Sequence, residues 1–309
     1  MKELVIAICG PTASGKSLLS MALKDYFPIE IIGMDAFQIY DRLDIGTAKP
    51  TKEEQAQVEH YMIDIISPQS EYTVADYKID ASNCIDYVID RAKFPVLVGG
   101  TGMYLRALSL PLSYGGTEGD GDIRKKYEDI ASVKGSLYLH ELLSKRDIKA
   151  AQKLHPNDKR RIIRALEVQD ITGKPFSSQK MPSYDEGKYN IFPLALKWDR
   201  KVLYDRINKR VDIMFKDGLV EEVKGLLDSG VPENAQSMQA IGYKEIIPLL
   251  KGEISLDETK EIIKTRSRQY AKRQLTWFRA DKRVVWIDMQ SGADSAIQQA
   301  VRLIEEEIY

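Results

Sequence analysis

The chain has 309 residues, 43% hydrophobic and 29% charged, so it can bury a full core as one domain with an insertion or as two domains. Its formal net charge of −1 excludes a chain that is basic overall, so a site for a polyanion must come from local clustering. The two cysteines, Cys9 and Cys84, argue against a disulfide framework and predict a reducing, cytoplasmic location, and no apolar run is long enough to span a membrane.

Apolar runs and helical patterns alternate through the first third of the chain. Strands are predicted over residues 4–9, 29–35 and 94–100. A helix is predicted over residues 17–26, and capping-box patterns at Thr51 with Glu54 and at Thr73 with Asp76 open two more, the second ending near residue 91. This alternation predicts an α/β fold with a P-loop NTPase-like, doubly wound parallel sheet.

The binding crevice of such a sheet lies at the carboxyl ends of its strands. Residues 10–17, 35–38 and 99–102 directly follow three predicted strands. We therefore expect these three segments to converge on one site.

The pattern changes in the middle of the chain. Residues 113–122 (SYGGTEGDGD) and 175–190 are turn-rich crossings, and the segment between them is mostly helical with no predicted strand. A strand over 191–198 then restores the α/β pattern, followed by helices over 201–215, 219–227 and 256–278, a strand and a last helix. The predicted domains are a core of residues 1–112 and 191–309 and a helical insertion of residues 113–190.

The segment GPTASGKS matches G-x-x-x-x-G-K-[ST] between a strand and a helix, the context in which a phosphate loop is credible. Backbone N–H groups of such a loop bind phosphate oxygens, Lys16 adds a positive charge, and Ser17 can hold Mg²⁺. This ATP-binding motif predicts a diphosphate or triphosphate ligand without saying which. Its residues are Gly10, Pro11, Thr12, Ala13, Ser14, Gly15, Lys16 and Ser17.

Polar residues follow the second and third strands. Asp35 can accept a proton from a nucleophile or support Mg²⁺, although Asp is also common as a cap, and Gln38 can read a base edge. After the third strand a typical P-loop NTPase has an Asp that holds Mg²⁺, but this chain has Gly99, Gly100 and Thr101. Thr101 can bind a phosphate oxygen or cap the next helix, and this difference speaks against ordinary ATP hydrolysis.

Two basic clusters stand out in the otherwise neutral chain. The segment NDKRRIIRALEV has four basic residues and one acid before Glu167, and residues 259–283 have nine basic and two acidic residues with interleaved aromatics. Lys264, Arg268, Lys272 and Arg279 fall near one helical face. Such a pattern suits an RNA backbone with splayed bases, or else a solvated helix face, and two clusters together favour a polyanion partner.

Together these segments resemble the tRNA dimethylallyltransferase (isopentenyl-tRNA transferase) family, bacterial type. The matching blocks, in the family's order, are GPTASGKS, DAFQIYDRLDIGTAKP, VGGTGMY, HPNDKRRIIRALEV, QAIGYKE and RQYAKRQLTWFR. The resemblance implies that the loop holds the diphosphate of dimethylallyl diphosphate, with Mg²⁺, and that the dimethylallyl group passes to N6 of the adenosine 3′ of a tRNA anticodon. The partners expected are dimethylallyl diphosphate and an anticodon stem-loop, and we expect a monomer.

The resemblance also assigns residues. It implies that Asp35 is the general base, with Lys16 and Thr101 beside the reacting groups. The tRNA-binding residues implied are Asp35, Ala36, Phe37, Gln38, Thr101, Arg124, Arg160, Arg161, Ile162, Ile163, Arg164, Gln239, Gly242 and Lys244, to which the basic helix adds Lys272. Ala36 and Phe37 stand where many members have Ser and Met.

Two alternatives stay open on the residues. A small-molecule or nucleoside P-loop kinase shares the loop and an Asp after the second strand, but leaves the basic C-terminal helix unexplained. A non-catalytic RNA-binding module with a vestigial loop would make Lys16 and Asp35 dispensable, and the intact Lys16–Ser17 pair argues against it.

Overall fold

The computed structural model describes residues 2–111, 119–179 and 182–308. Most of the first predicted crossing, and residues 180 and 181 of the second, lie outside this description. The chain divides into two compact units, a core unit of residues 1–109 and 188–309 and an insertion unit of residues 110–187. The predicted boundaries, after residues 112 and 190, fall close to these.

The core unit contains one sheet. Its strands are β1 (Leu4–Cys9), β2 (Ile29–Gly33), β3 (His60–Tyr61), β4 (Phe94–Gly99), β5 (Asn190–Lys197) and β6 (Val285–Asp288). Their order is β3-β2-β4-β1-β5-β6 and every neighbouring pair is parallel. The predicted doubly wound α/β class is confirmed. The two-residue edge strand β3 was not predicted, because it is too short to show a period.

The helices follow the predicted pattern closely. In chain order they are α1 (Lys16–Ala22), α2 (Lys52–Gln57), α3 (Val74–Asp90), α4 (Gly102–Ser109), α5 (Gly121–Arg146), α6 (Ile148–Ala151), α7 (Lys159–Thr172), α8 (Arg200–Lys216), α9 (Leu219–Asp228), α10 (Tyr243–Leu250), α11 (Leu256–Ala280) and α12 (Ala293–Ile308). Both predicted capping boxes are present, at Thr51 and Thr73. Helix α10 was missed because Pro248 lies inside it.

Alternation along β1 divides the core into two layers. Val5, Ala7 and Cys9 pack with one hydrophobic cluster, while Ile6 and Ile8 pack with the other. Both faces of the sheet are thus covered, and the apolar runs are continuous because the central strands are buried on both sides. The strand ends converge as expected, since Cys9 of β1 lies opposite Gly99 of β4.

The insertion unit is helical in its described residues. Its buried cluster includes Tyr127, Leu139 and Leu143 of α5 and Ile162 and Leu166 of α7. Helix α5 is interrupted at Gly135, whose φ of 81° is a backbone conformation that residues other than glycine rarely adopt.

Candidate active site

The phosphate loop joins β1 to α1 and carries an unusual backbone. Gly10, Ala13 and Gly15 have φ angles of 143°, 59° and 98°. Turns that bring right-handed and left-handed residues together form concave nests of N–H groups that bind anions. Lys16 lies in the first turn of α1, and its Nζ donates to the Pro11 carbonyl at 2.9 Å across the loop. The loop therefore has a backbone shape that can accept phosphate oxygens.

Side chains remote in sequence hold this loop in place. The Trp198 indole N–H donates to the Ser14 carbonyl at 2.9 Å, and Arg206 Nε donates to the Ala13 carbonyl at 2.9 Å. Gln274, buried on α11, accepts from the Thr12 N–H at 2.9 Å and donates to the Gly100 carbonyl at 3.0 Å. The loop is thereby connected to the end of β5, to α8, to α11 and to the turn after β4.

The ends of β2 and β4 come together beside the loop. Asp35 Oδ1 accepts from the Phe37 N–H at 2.9 Å, and the Ala36 N–H donates to Thr101 Oγ1 at 3.2 Å. A Cβ added to Gly99 would lie 2.0 Å from the Met34 carbonyl oxygen, so only glycine fits there. The second and third predicted segments therefore meet as expected.

A cavity of about 620 Å³ opens between these segments, within the size range of small-molecule sites. Of the predicted site residues, it is lined by Thr12, Ala13, Ser14, Gly15, Lys16, Ser17, Asp35, Phe37, Gln38, Gln239 and Lys244. Gly10, Pro11, Ala36, Thr101 and Gly242 are not in the lining. Thr101 instead contacts the segment that carries Asp35.

The cavity is rich in positive charge. Burial and the nearby Arg210 guanidinium lower the pKa of Lys16 to about 8, and the Asp35 carboxylate opposes this shift. Burial also lowers the pKa of Arg210, whose Nη2 donates to the Thr47 carbonyl at 3.4 Å. Two crowded cations next to a nest of N–H groups favour an anionic ligand, which would relieve their mutual repulsion.

Sequence reasoning missed several lining residues. They are Arg206 and Arg210 on α8 and Tyr270, Arg273 and Gln274 on α11. Each set has the i, i+3 or i, i+4 spacing of one helical face, the signal that could have grouped them. That spacing alone does not say which face meets the phosphate loop.

In the insertion unit, the predicted basic segment is partly engaged within its own fold. Arg124 Nη2 and Arg164 Nη1 lie 3.2 and 2.9 Å from oxygens of the buried Glu167 carboxylate. Arg160 is exposed, and the exposed Arg161 pairs with Asp158 at 3.1 Å. Ile162 and Ile163 are buried in the unit's core, so any side-chain contact of this segment with RNA falls to its polar residues, among them the exposed Lys159 and Arg160.

The basic face predicted on α11 divides into two parts. Lys264 Nζ lies 2.9 Å from Asp212 Oδ1, and Arg268 Nη1 donates to Asn208 Oδ1 at 2.6 Å. These two residues join α11 to α8. Lys272 and Arg279 are exposed and face solvent, where a polyanion can reach them.

The part of the chain that the structure describes contains neither a metal-binding cluster nor a membrane-spanning helix. No group of three or more His, Cys, Asp and Glu side chains is placed there to hold a metal ion. None of the described helices has the length and apolarity needed to cross a bilayer.

The fold and the cavity define a P-loop α/β protein with a candidate site for an anionic ligand at the carboxyl edge of its sheet. A family model described as IPP transferase matches residues 38–281. A tRNA dimethylallyltransferase of Thermoanaerobacter sp. (strain X514) is 47% identical over 285 residues, which cover 91% of this chain and 90% of that protein.

Solved structures agree with the sequence comparison. The tRNA isopentenylpyrophosphate transferase of Bacillus halodurans is 42% identical, with a TM-score of 0.74 over 99% of this chain and 96% of that one. A eukaryotic dimethylallyltransferase, described as acting on tRNA, is 29% identical, with a TM-score of 0.83 over 99% of this chain and 79% of that one. The chain belongs to the IPP transferase family, the tRNA dimethylallyltransferases. These comparisons support a prenyltransferase and do not favour the small-molecule or nucleoside kinase.

Proposed function

We propose that this protein transfers the dimethylallyl group of dimethylallyl diphosphate to N6 of the adenosine 3′ of the anticodon in tRNA, releasing diphosphate. The observation that carries the proposal is the cavity itself, in which the phosphate loop, Lys16 and Arg210 lie with Asp35. The cationic groups suit a leaving diphosphate, and the carboxylate suits the incoming amine.

The phosphate loop assists the departure of the diphosphate. As the C–O bond breaks, negative charge builds up on the diphosphate, and the loop N–H groups, Lys16 and Arg210 stabilise it. Because these groups are already held in place before reaction, little reorganisation is needed when the charge develops.

The residues present also fit Mg²⁺. This ion prefers oxygen ligands and is commonly held by substrate phosphates together with few protein groups. The Ser17 hydroxyl lines the cavity, with Asp35 on the same lining. Ser17 would hold the ion against the diphosphate, where it would supply further charge neutralisation.

Asp35 activates the adenosine amine. The N6 amine is a weak nucleophile because its lone pair is delocalised into the ring, so accepting its proton assists attack on the allylic carbon. The bond from Phe37 N–H to Oδ1 orients the carboxylate, leaving Oδ2 as the oxygen to take the proton. Thr101 supports this geometry through the Ala36 N–H, and Phe37 and Gln38 lie where the base would enter.

The RNA is an anticodon stem-loop in this proposal. The target adenosine must leave its stack to reach Asp35, as bases do in other enzymes that modify them. The groups proposed to contact RNA are Gln239 and Lys244 on the cavity lining, the exposed Lys272 on α11, and the exposed Arg160 and Arg161 of the insertion unit. A monomer acting in the cytoplasm remains part of the proposal.

The test uses purified protein, Mg²⁺, labelled dimethylallyl diphosphate and a stem-loop with adenosine 3′ of the anticodon, without ATP. Label in the RNA is the expected result. Asp35→Asn should abolish transfer while keeping RNA affinity within a few-fold, and Asp41→Asn, at an exposed carboxylate nearby, is the matched control. An Asp35→Asn variant with wild-type turnover would remove Asp35 from the mechanism. No label, together with ATP-dependent phosphorylation of a metabolite, would replace the transferase with a kinase.

A further inference from the structure

A carboxylate from α9 fills a ring of hydrogen-bond donors beside the cavity. Glu222 Oε2 accepts from the N–H groups of Asp44 and Ile45 at 3.0 and 2.8 Å. Its Oε1 accepts from the Gly46 N–H at 3.3 Å and from the Tyr243 hydroxyl at 2.6 Å. Three consecutive backbone N–H groups around one anion form a nest of the kind that elsewhere binds phosphate.

The loop held in this way continues directly to the cavity lining. Gln38 Nε2 donates to the Thr47 and Ala48 carbonyls, each at 3.1 Å. The Thr47 carbonyl also accepts from Arg210 Nη2 at 3.4 Å. Both Gln38 and Arg210 line the cavity, so the position of residues 44–48 sets the position of two functional side chains.

The loop has little room to adopt another position. A Cβ on Gly46 would lie 2.3 Å from Tyr243 Cε2, and Tyr243 is fully buried. On the other side, Lys49 Nζ pairs with Asp44 at 2.6 Å and donates to the Tyr40 carbonyl at 3.0 Å. Tyr243 thus packs against the loop on one side, and Lys49 occupies the Asp44 carboxylate on the other. Glu222 is the group that accepts from the N–H groups of residues 44–46.

We propose that Glu222 is a positioning residue for the transfer reaction, which holds residues 44–48 so that Gln38 and Arg210 keep their place in the cavity. The proposal rests on the proposed function for the meaning of that cavity. Tyr243 shares the role by donating to the same carboxylate. Neither residue lines the cavity, so each acts on the substrates through the loop.

Glu222→Gln is the sharpest perturbation, because it keeps the size of the side chain and replaces one acceptor oxygen with a donor. If the amide nitrogen takes the Oε1 position, the Tyr243 hydroxyl can turn to accept from it, while the Gly46 N–H loses its partner. Glu221→Gln is the matched control, since Glu221 is exposed one residue earlier on α9.

Two measurements test the proposal. In the first, the KM of the stem-loop should rise about tenfold in Glu222→Gln. The same change in a Gln38→Ala background should raise this KM less than about twofold, because Glu222 acts through the contact of Gln38 with residues 47 and 48. In the second, calorimetry should show inorganic diphosphate binding several-fold more weakly in Glu222→Gln, through the loosened Arg210. Glu221→Gln should match wild type in both.

The outcomes separate the two proposals. Equal fold-changes in both backgrounds, or wild-type binding and KM in a folded Glu222→Gln, would overturn the positioning role. If Glu222→Gln does not fold, Tyr243→Phe removes a single donor and should produce the same changes at smaller size. A wild type that binds diphosphate but labels no RNA refutes the transferase alone, and the diphosphate comparison still decides the role of Glu222.

Discussion

Gln274 connects the phosphate loop to the turn after β4, so its replacement should disturb both. Gln274→Met keeps the length of the side chain but removes both polar groups. It deprives the Thr12 N–H and the Gly100 carbonyl of partners that now lie at 2.9 and 3.0 Å. Gln274 is only 5% exposed, so no other side chain can easily move in to replace it.

The size of the effect follows from where the two orphaned groups lie. Thr12 lines the cavity, so water can reach its N–H, and this loss costs about 1 kcal/mol. Gly100 is buried, so its carbonyl bears the larger penalty of an unsatisfied group, about 2 kcal/mol. The sum, about 3 kcal/mol, corresponds to a fall in melting temperature of roughly 6–12 °C for a domain of this size.

Part of this cost should appear in substrate binding. If about 1 kcal/mol of it concerns loop geometry, the affinity for dimethylallyl diphosphate falls about fivefold. Thermal unfolding and the KM of dimethylallyl diphosphate are measured for Gln274→Met and for Gln269→Met, an exposed glutamine of the same helix. If both variants retain the melting temperature and KM of the wild type, the bridging role assigned to Gln274 is refuted.

Three further perturbations have defined outcomes. Lys16→Met should weaken binding of inorganic diphosphate at least about tenfold in calorimetry while leaving RNA affinity within about threefold, because it removes a charge from the loop alone; unchanged diphosphate affinity would place the anion elsewhere. Lys272→Glu should weaken stem-loop binding and reduce, by about one, the slope of log affinity against log salt concentration, whereas Lys224→Glu on α9 should do neither. If Lys272→Glu and the wild type have equal slopes, this part of α11 is an ordinary solvated face. Glu30 is buried and pairs with Lys93 at 2.6 Å, and although burial alone would raise its pKa, the hydrogen bonds from Lys93 and Tyr61 hold that pKa below its ordinary value. The stability that ionised Glu30 contributes is therefore present above the unfolded pKa and is lost as pH falls through the lower folded pKa. Glu30→Gln should lower the free energy of unfolding by about 1–3 kcal/mol at pH 7, and by progressively less in denaturation experiments below pH 4.5. A difference between the two proteins that stays constant across that pH range would contradict this pH dependence.

The sequence alone determined the features that depend on neighbouring residues. Strand β1 has the predicted bounds, because a buried central strand appears as a continuous apolar run. The helix starts at Thr51 and Thr73 were predictable, because a capping box is a local exchange of hydrogen bonds. The convergence of residues 10–17, 35–38 and 99–102 also followed, since parallel strands end at one edge.

Only the tertiary structure decided which distant side chains complete the site. Gln274 contacts Thr12 across 262 residues of sequence, and Glu222 contacts the loop at residues 44–46 across 176 or more. The same helix that carries Gln274 uses Lys264 and Arg268 to pack on α8, although all four of its basic face residues look alike in sequence. Helical periodicity tells which residues share a face, but the packing of helices against the sheet selects which of them meet a ligand, a neighbouring helix or solvent.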